Sequence, residues 1–375
     1  MIPFNKPHLS GNELEYIRQA VASGKISGNG VFTSKCHRFF SEKYNFQKVL
    51  LTASCTDALE MAAMLIDIKA GDEVIMPSFT FVSCANAFIL RGAKVVFADS
   101  QYDHPNIDPG QIEKLITKRT RAILVVHYSG IACPMDEIMA LARKHNLLVV
   151  EDAAHAIDSF YKGAPLGSIG HLAVFSFHET KNIISGEGGL LVINDDRFAA
   201  RADIIWEKGT NRAAFFKGEV DKYSWVDIGS SFLPSEVTAA FLFAQLERLP
   251  VIQNKRKEAW QRYMTLLKPL AAKANLSLPV IPDFATINGH LFYLICSTGE
   301  TRDLLLQHLK KQEIYATFHY LPLHKSPFAE RTFIPGAILP RSESISRQLI
   351  RLPLYYELSE DDQLQVVESI KRFFQ

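Results

Sequence analysis

Short apolar runs alternate with helical patterns between residues 48 and 194 of this sequence. The runs are rich in Val, Ile and Leu and read KVLLTAS, DEVIMPS, KVVFADS, RAILVVHY, LLVVEDAA, HLAVFSF and GGLLVIN. Several segments between them, such as TDALEMAAMLIDI and MDEIMALARKHN, carry apolar residues at helical spacing. Strands that are apolar almost throughout are typical of a sheet buried on both faces, and intervening helices favour parallel strands. The alternation therefore predicts an α/β domain built on a mostly parallel seven-stranded sheet.

The pattern changes after about residue 235. SEVTAAFLFAQLERL and QNKRKEAWQRYMTLLKPLAAKA are helical by spacing, and HLFYLICS (strand), TRDLLLQHLKKQ (helix), YATFHY (strand) and SEDDQLQVVESIKRFF (helix) follow. We expect a large domain over residues 1–250 and a smaller α+β domain over residues 251–375. Residues 209–231 fit neither a helix nor a strand, and a long, aromatic-rich loop of this kind is often functional.

Composition narrows the class of protein. The sequence has 375 residues with 41 Lys and Arg against 40 Asp and Glu, so neither a polybasic nucleic-acid binder nor a disordered chain is indicated. Its five cysteines form no CxxC pair, which argues against a disulfide framework or a metal site. The polar N-terminus and the lack of a bilayer-length apolar run predict a cytoplasmic protein without a membrane span.

Polar residues follow the predicted strands where parallel α/β sheets bind ligands. Ser54, Cys55 and Thr56 come after KVLLTA and open a helix, where hydroxyls and free N–H groups suit a phosphate. Ser and Thr are also ordinary helix caps, so both a phosphate site and a plain cap remain possible here. Asp152 ends LLVVED, with His155 three residues on. A buried carboxylate needs a partner. Either that partner is the protonated ring nitrogen of a ligand, or the carboxylate has a structural role as a helix cap or in a salt bridge.

The octapeptide FSFHETKN places Lys181 just after a strand. A lysine there is usually a solvated charge, but apolar surroundings lower a lysine pKa and favour the nucleophilic amine. A lysine, an acid and a phosphate cradle on one sheet edge meet the needs of pyridoxal phosphate. GxGxxG, GxxxxGK and HExxH patterns are absent, so no nicotinamide, P-loop or metal site is predicted. His178 points to the Lys181 side by strand alternation but has no assigned chemistry.

Four stretches carry a resemblance to a known family: VVEDAAH, FSFHETKN followed by GEGG, PSFTFVSCANA and FHYLPLH. Over nearly the whole chain the sequence resembles the DegT/DnrJ/EryC1/StrS sugar aminotransferases. The resemblance implies the aspartate-aminotransferase-like fold, called fold type I, with pyridoxal phosphate as cofactor. It also implies transfer of the amino group of L-glutamate to a dTDP-4-keto-6-deoxyhexose, giving dTDP-4-amino-4,6-dideoxygalactose for cell-surface polysaccharide, such as lipopolysaccharide or enterobacterial common antigen.

The resemblance also implies a role for each site residue. Lys181 binds the cofactor as a Schiff base and later moves a proton between cofactor and sugar. Asp152 keeps the pyridine nitrogen protonated. His155 lies near the phenolic oxygen, where many relatives have glutamine.

The remaining cofactor contacts depart in part from the family pattern. Ser176 is implied to bind the phosphate together with the Ser54–Thr56 turn, where relatives more often have Ser-Gly-Thr. Phe81 is implied to stack on the ring, with a plain core aromatic as the alternative. Ser231 stands where many relatives carry an asparagine that reaches the phosphate of the neighbouring subunit, so a homodimer with shared active sites is expected. Candidate substrate-binding residues are Asn211, Arg212, His319, Tyr320 and His324.

Other functions remain open at this point. A member of the same family could aminate carbon 3 or give the gluco product. The sugar dehydratase of this fold has histidine at the lysine position, so Lys181 argues against it. From another class, a non-catalytic regulatory or scaffold protein that binds pyridoxal phosphate is the alternative.

Overall fold

The computed structural model describes residues 1–216, 218–332 and 337–375 of the chain. Its strands are β1 (Lys48–Thr52), β2 (Glu73–Pro77), β3 (Lys94–Ala98), β4 (Thr120–Val126), β5 (Leu148–Asp152), β6 (Phe160–Tyr161), β7 (Ala164–Pro165), β8 (Leu172–Ser176), β9 (Gly189–Ile193), β10 (Phe292–Ile295) and β11 (Leu349–Leu352). Its helices are α1 (Glu13–Ala22), α2 (Val31–Tyr44), α3 (Cys55–Leu65), α4 (Val82–Ile89), α5 (Pro109–Leu115), α6 (Met135–His145), α7 (Ala199–Trp206), α8 (Arg212–Phe216), α9 (Glu236–Glu247), α10 (Leu249–Ala274), α11 (Gly299–Lys311), α12 (Pro327–Thr332), α13 (Pro340–Gln348) and α14 (Glu360–Phe373).

The main sheet has seven strands, as the apolar runs predict, and their order is β1-β9-β8-β5-β4-β2-β3. β9 is antiparallel to both of its neighbours, and the pairs β2–β3, β2–β4, β4–β5 and β5–β8 are parallel. The other six strands therefore end at one edge of the sheet. β10 and β11 form a separate antiparallel pair.

Apolar side chains of the sheet alternate between two cores. In β4, Ile123 and Val125 belong to the cluster that α2, α6 and α9 cover, whereas Leu124 and Val126 belong to the cluster that α3, α4 and α7 cover. A strand buried on both faces has no polar side to expose, which is why these runs are apolar throughout.

A third core lies in the C-terminal part of the chain. It gathers residues of α10, β10, α11, β11 and α14 around Tyr263 and Phe292, both fully buried. Thr298 and Ser359 start α11 and α14 by accepting a hydrogen bond from the N–H three residues on. The predicted boundary near residue 250 falls at the beginning of α10 and stays a prediction. Within the described ranges, no helix has the length and apolar character needed to cross a bilayer.

The predicted strand YATFHY, residues 315–320, is wrong. The backbone there divides its hydrogen bonds between two partners: Tyr315 N–H donates to the Ile2 carbonyl, and Thr317 forms an isolated bridge with Arg351. A partner change within two residues leaves no continuous ladder. The unassigned segment 209–231 contains α8 and a bridge between Thr210 and Trp225, and its residue 217 lies outside the described residues.

Candidate active site

The carboxyl ends of β1, β8, β5, β4 and β2 bring the predicted site residues to one edge of the sheet. The Ser54–Thr56 turn follows β1, Asp152 ends β5, and Lys181 lies in the turn after β8. Ligands of open α/β sheets bind at this edge. The sheet therefore assembles the core of the predicted site.

Lys181 is half-buried in a turn whose backbone N–H donates to the His178 carbonyl at 2.9 Å. Burial lowers the pKa of its amine, and the charge of Asp152 opposes that shift without cancelling it. Among the described residues, no hydrogen-bond or ion-pair partner holds the Nζ atom. An amine with a lowered pKa and no partner is suited to act as a nucleophile.

Asp152 is buried, with 5% of its surface exposed. Its Oδ1 accepts a hydrogen bond from the Ala154 N–H at 3.0 Å, and its Oδ2 lies 2.9 Å from the Cys84 sulfur. A carboxylate offers about four acceptor positions, so these contacts leave room for a further donor.

The neighbouring carboxylate, Glu151, faces the opposite side of the sheet. Its oxygens contact His127 Nε2 at 3.0 Å and accept from the N–H groups of Gly167, Ile169 and Gly170. Burial raises the pKa of Glu151, but these donors outweigh it and the net shift is downward. The oxygens of Glu151 are thus taken up by contacts within the fold, and Asp152 is the carboxylate left for a ligand.

The ends of β1 and β8, the start of β9 and the N-terminus of α3 meet around Gly189. β9 begins at Gly189, which pairs with Thr52 on one side and with Ser176 on the other. A side chain at Gly189 would meet the Ser54 carbonyl oxygen at 2.4 Å, so only glycine permits this packing. Ser54 caps α3 through a 3.0 Å bond from the Asp57 N–H.

The first two N–H groups of α3, at Cys55 and Thr56, have no acceptor among the described residues. They point out of the helix N-terminus, where an anion is favoured. The Thr56 hydroxyl lies 2.8 Å from Ser83 Oγ, and the Ser176 hydroxyl accepts a 3.4 Å bond from the His178 N–H. The structure thus brings all four predicted phosphate residues, Ser54, Cys55, Thr56 and Ser176, around Gly189.

His155 packs between other aromatic rings. Its ring stacks on His290 at 4.2 Å between centroids, and His319 lies 6.1 Å away in a nearly parallel orientation. Burial, followed by the charge of Lys181, lowers the pKa of His155 well below 6.5. The Ser129 N–H donates to its Nδ1 at 3.3 Å, so the neutral ring carries its proton on Nε2. His155 can therefore donate a hydrogen bond to an oxyanion.

Asn182, which sequence reasoning missed, fixes the turn that carries Lys181. Its amide nitrogen donates to Gln253 Oε1 at 2.8 Å and to the Asn288 carbonyl at 2.9 Å. Its Oδ1 therefore accepts from His290 Nδ1, 2.8 Å away. These bonds join the turn to α10 and to the segment before β10.

Aromatic side chains line the adjoining wall. Phe81 is 55% exposed at the start of α4, so it is not a core residue, and its ring lies 6.3 Å from Tyr320. Tyr320 also packs on Phe79 and Tyr128. His319 Nδ1 lies 3.0 Å from the Tyr128 hydroxyl, and burial lowers its pKa. Predicted residues Phe81, His319 and Tyr320 thus meet on one side of the site.

His324 occupies a different position from the other predicted substrate residues. It is buried, with Nδ1 2.6 Å from Ser78 Oγ and Nε2 3.2 Å from Glu343 Oε1. Both ring nitrogens are occupied, so a sugar contact would require one of these bonds to break. The predicted contact stays a prediction, and the structure shows His324 joining the end of β2 to α13.

The other predicted residues lie in their own loops. Asn211 Oδ1 accepts from the Ser224 N–H at 2.7 Å, and Arg212 lies 3.9 Å from Glu207. Ser231 is exposed and forms a bridge with Glu207. His178, left unassigned by the sequence, contacts Thr180 at 2.9 Å in its own turn.

Arg351, in β11, is a further cation near the site that the sequence did not reveal. Its Nε and Nη2 donate to the Phe318 carbonyl at 3.3 and 3.1 Å, and no carboxylate among the described residues pairs with it. Its charge lowers the pKa of Lys181, His155 and His319, which places it in the electrostatic reach of all three. A guanidinium without a counter-ion is suited to bind a carboxylate or phosphate.

These residues fit pyridoxal phosphate. An unpartnered amine, a buried carboxylate with spare acceptor positions and two free helix N–H groups beside Gly189 supply the lysine, acid and phosphate cradle that it requires. Among the described residues, no group of three or more His, Cys, Asp or Glu side chains could hold a metal ion.

Comparisons with known proteins place the whole chain in a family. The sequence profile of the DegT/DnrJ/EryC1/StrS aminotransferase family matches residues 7–371. The spore coat polysaccharide biosynthesis protein SpsC of Bacillus subtilis is 32% identical over 378 residues, covering 99% of this chain and 96% of SpsC.

Solved structures share the fold over the full length. Spr1654 from Streptococcus pneumoniae in its PLP form gives a TM-score of 0.91 at 26% identity, covering 99% of this chain and 98% of Spr1654. Helicobacter pylori PseC, an aminotransferase involved in the biosynthesis of pseudoaminic acid, gives a TM-score of 0.89 at 26% identity, covering 100% of this chain and 99% of PseC.

Proposed function

Because the chain belongs to the DegT/DnrJ/EryC1/StrS aminotransferase family, we propose that it transfers the amino group of L-glutamate to a dTDP-4-keto-6-deoxyhexose. The proposed product is dTDP-4-amino-4,6-dideoxygalactose, used for cell-surface polysaccharide. Family membership confirms three predictions: a sugar aminotransferase, pyridoxal phosphate as its cofactor and an aspartate-aminotransferase-like α/β fold. The observation that carries the proposal is the unpartnered Lys181 amine on the sheet edge shared with Asp152.

Bound pyridoxal phosphate supplies an aldehyde that condenses with amines and a ring that withdraws electrons. Asp152 would pair with the ring nitrogen, because its oxygens are buried and retain acceptor positions. The Nε2–H of His155 would donate to the phenolic oxygen, since Ser129 occupies Nδ1. The exposed ring of Phe81 would cover one face of the cofactor.

Lys181 holds and then moves a proton. Its lowered pKa allows the free amine to take a proton from the carbon of the amino donor and to deliver a proton to the carbon of the keto sugar.

Arg351 binds an acidic group of the amino donor. L-glutamate carries two carboxylates, no carboxylate among the described residues pairs with the guanidinium, and its charge lowers the pKa of Lys181. The nucleotide sugar then lies along the wall of Phe81, His319 and Tyr320, with Asn211 and Arg212 further out.

We also propose a homodimer with shared active sites. Trp225 is 81% exposed and Phe216 is 70% exposed, and both lie in the segment that contains Ser231. An exposed aromatic surface beside the site favours a protein interface.

Mixing two inactive variants tests the shared site. Lys181→Ala and Ser231→Glu should each lose activity, the second because its carboxylate repels a phosphate. If Ser231 serves the partner's phosphate, mixed dimers contain one intact site and activity returns. A mixture as inactive as its components would exclude the shared site.

Borohydride reduction of the protein loaded with pyridoxal phosphate, followed by peptide mapping, tests the central assignment. The label should appear on Lys181 and disappear in Lys181→Ala, while Lys208→Ala, which changes another lysine, keeps it. A label on a different lysine would refute the assignment. Glutamate should bleach the band of the lysine-bound cofactor, and no response to any amino donor would favour the regulatory alternative.

NMR of the product from dTDP-4-keto-6-deoxyglucose and glutamate tests the substrate. We expect the amine at carbon 4 in the galacto configuration. A 3-amino or gluco product would keep the enzyme class and replace the proposed product.

A further inference from the structure

Cys84, on α4, is buried against the carboxylate proposed to bind the cofactor. Only 1% of its surface is exposed, and its sulfur lies 2.9 Å from Asp152 Oδ2 and 3.1 Å from Thr80 Oγ1. An ionised carboxylate can only accept, so the thiol donates to Asp152. The sulfur is then left to accept the hydroxyl hydrogen of Thr80. The three groups form one directed chain from Thr80 through Cys84 to Asp152.

The thiol keeps its proton in this position. Burial raises the pKa of Cys84 well above its usual range, and the charge of Asp152 raises it further. Thr80 is also buried, with 1% exposed, so water does not compete for either bond. Hydrogen bonds in a chain polarise one another, and a donor strengthens the ionised form of the carboxylate that accepts it.

A buried carboxylate with few donors tends to take up a proton and become neutral. Asp152 has only two donors among the described residues, the Ala154 N–H and the Cys84 thiol. Loss of the thiol would leave Oδ2 without a protein donor and free to rotate. A misdirected Asp152 could no longer pair with a protonated ring nitrogen.

We propose that Cys84, supported by Thr80, is a positioning residue that holds the Asp152 carboxylate aimed at the ring nitrogen of pyridoxal phosphate. The inference rests on the proposed role of Asp152. The thiol acts as a hydrogen-bond donor and takes no covalent part in the reaction.

Two substitutions separate a donor from a space-filling residue. Cys84→Ala removes the donor, and Cys84→Ser restores one with nearly the same shape. Cys36→Ala is the matched control, because Cys36 is equally buried on α2 but donates to the backbone carbonyl of Ala239 at 3.4 Å. Thr80→Val removes only the outer donor and leaves Cys84 in place, so the test survives even if Cys84→Ala fails to fold.

The measurements are the dissociation constant of pyridoxal phosphate, the visible spectrum of the loaded protein and the melting temperature of the cofactor-free protein. Loss of a hydrogen bond to a charged group typically changes an equilibrium constant by about 10- to 100-fold. We expect Cys84→Ala to weaken cofactor binding by that factor and to shift the pH midpoint of the visible band. Cys84→Ser should return both within a few-fold of wild type, and Thr80→Val should give a smaller shift in the same direction.

Equal cofactor binding and spectra in Cys84→Ala and Cys36→Ala would overturn the inference. So would a Cys84→Ser variant as impaired as Cys84→Ala, because shape rather than donation would then matter. A wild-type protein that shows no lysine-bound cofactor band would refute the proposed function itself, which is a separate result from these two.

Discussion

Replacing Asn182 with alanine removes three buried hydrogen bonds beside Lys181, the proposed catalytic residue. The partners are Gln253 Oε1 at 2.8 Å, the Asn288 carbonyl at 2.9 Å and His290 Nδ1 at 2.8 Å. Gln253, Asn288 and His290 are all buried. A buried polar group left without a partner costs about 1–3 kcal/mol, and a water in the new cavity recovers part of this. We expect a net loss of about 3 kcal/mol in the free energy of unfolding.

The same change should reduce catalysis, because Lys181 is the preceding residue. A displacement of about 1 Å at a reacting group lowers a rate roughly 100-fold, so we expect kcat to fall about 10- to 100-fold. Stability is measured by the melting temperature of the cofactor-free protein, where a loss of this size corresponds to a fall of roughly 5 °C. Steady-state assays with saturating glutamate give kcat.

Asn194→Ala provides the matched control. Its amide nitrogen donates to the Gly167 and Gly170 carbonyls at 2.8 and 2.9 Å, at the end of β9 and away from the site. It should lose stability while kcat stays within about two-fold of wild type. If Asn182→Ala lowers kcat no more than Asn194→Ala, Asn182 does not position Lys181 and the reasoning fails.

Four further changes test other parts of the molecule. Asp152→Asn should lower kcat about 100- to 1,000-fold with the melting temperature nearly unchanged, since it removes a charge that acts on the reacting ring; an active variant would contradict the assignment. Arg351→Gln should raise the KM for glutamate about 10- to 100-fold and leave the KM for the keto sugar nearly unchanged, and an equal rise in both would exclude a donor-specific role. Gly189→Ala should weaken cofactor binding because its methyl group would meet Ser54, whereas Gly110→Ala on α5 should not. Burial lowers the pKa of His37 to about 4. Below pH 6.5 the unfolded chain therefore binds a proton at His37 while the folded chain does not. The free energy of unfolding should fall for this reason by at most roughly 3 kcal/mol by pH 4. His37→Gln should flatten that part of the pH profile of the melting temperature, and an unchanged profile would contradict it.

The sheet and the centre of the site could be predicted from local sequence. The apolar side chains of a run such as LLVVED are all removed from water only when helices cover both faces of the strand. The structure buries this strand on both faces. Asp152 and Lys181 could be paired in advance because both follow strands of a parallel sheet, whose carboxyl ends meet at one edge.

The contacts from the C-terminal part of the chain could not be predicted in this way. His290 and Arg351 approach Lys181 only because β10 and β11 are docked beside the sheet, and no spacing in the sequence encodes that docking. The segment YATFHY alternates like a strand, yet its hydrogen bonds are shared between the N-terminus and β11. Histidine is a common ligand-binding residue type, but both ring nitrogens of His324 are occupied, one by Ser78 and one by Glu343.

α10 belongs to two cores at once. Its first turns contribute Leu249 and Ile252 to the core of the large sheet, and its later turns contribute Tyr263 and Leu267 to the C-terminal core. A protease that cuts exposed linkers would find a helix rather than a linker at the predicted boundary. A fragment ending at residue 250 would also lack Gln253, the partner of Asn182. The two parts of the chain should therefore resist limited proteolysis at this point and unfold in one cooperative transition.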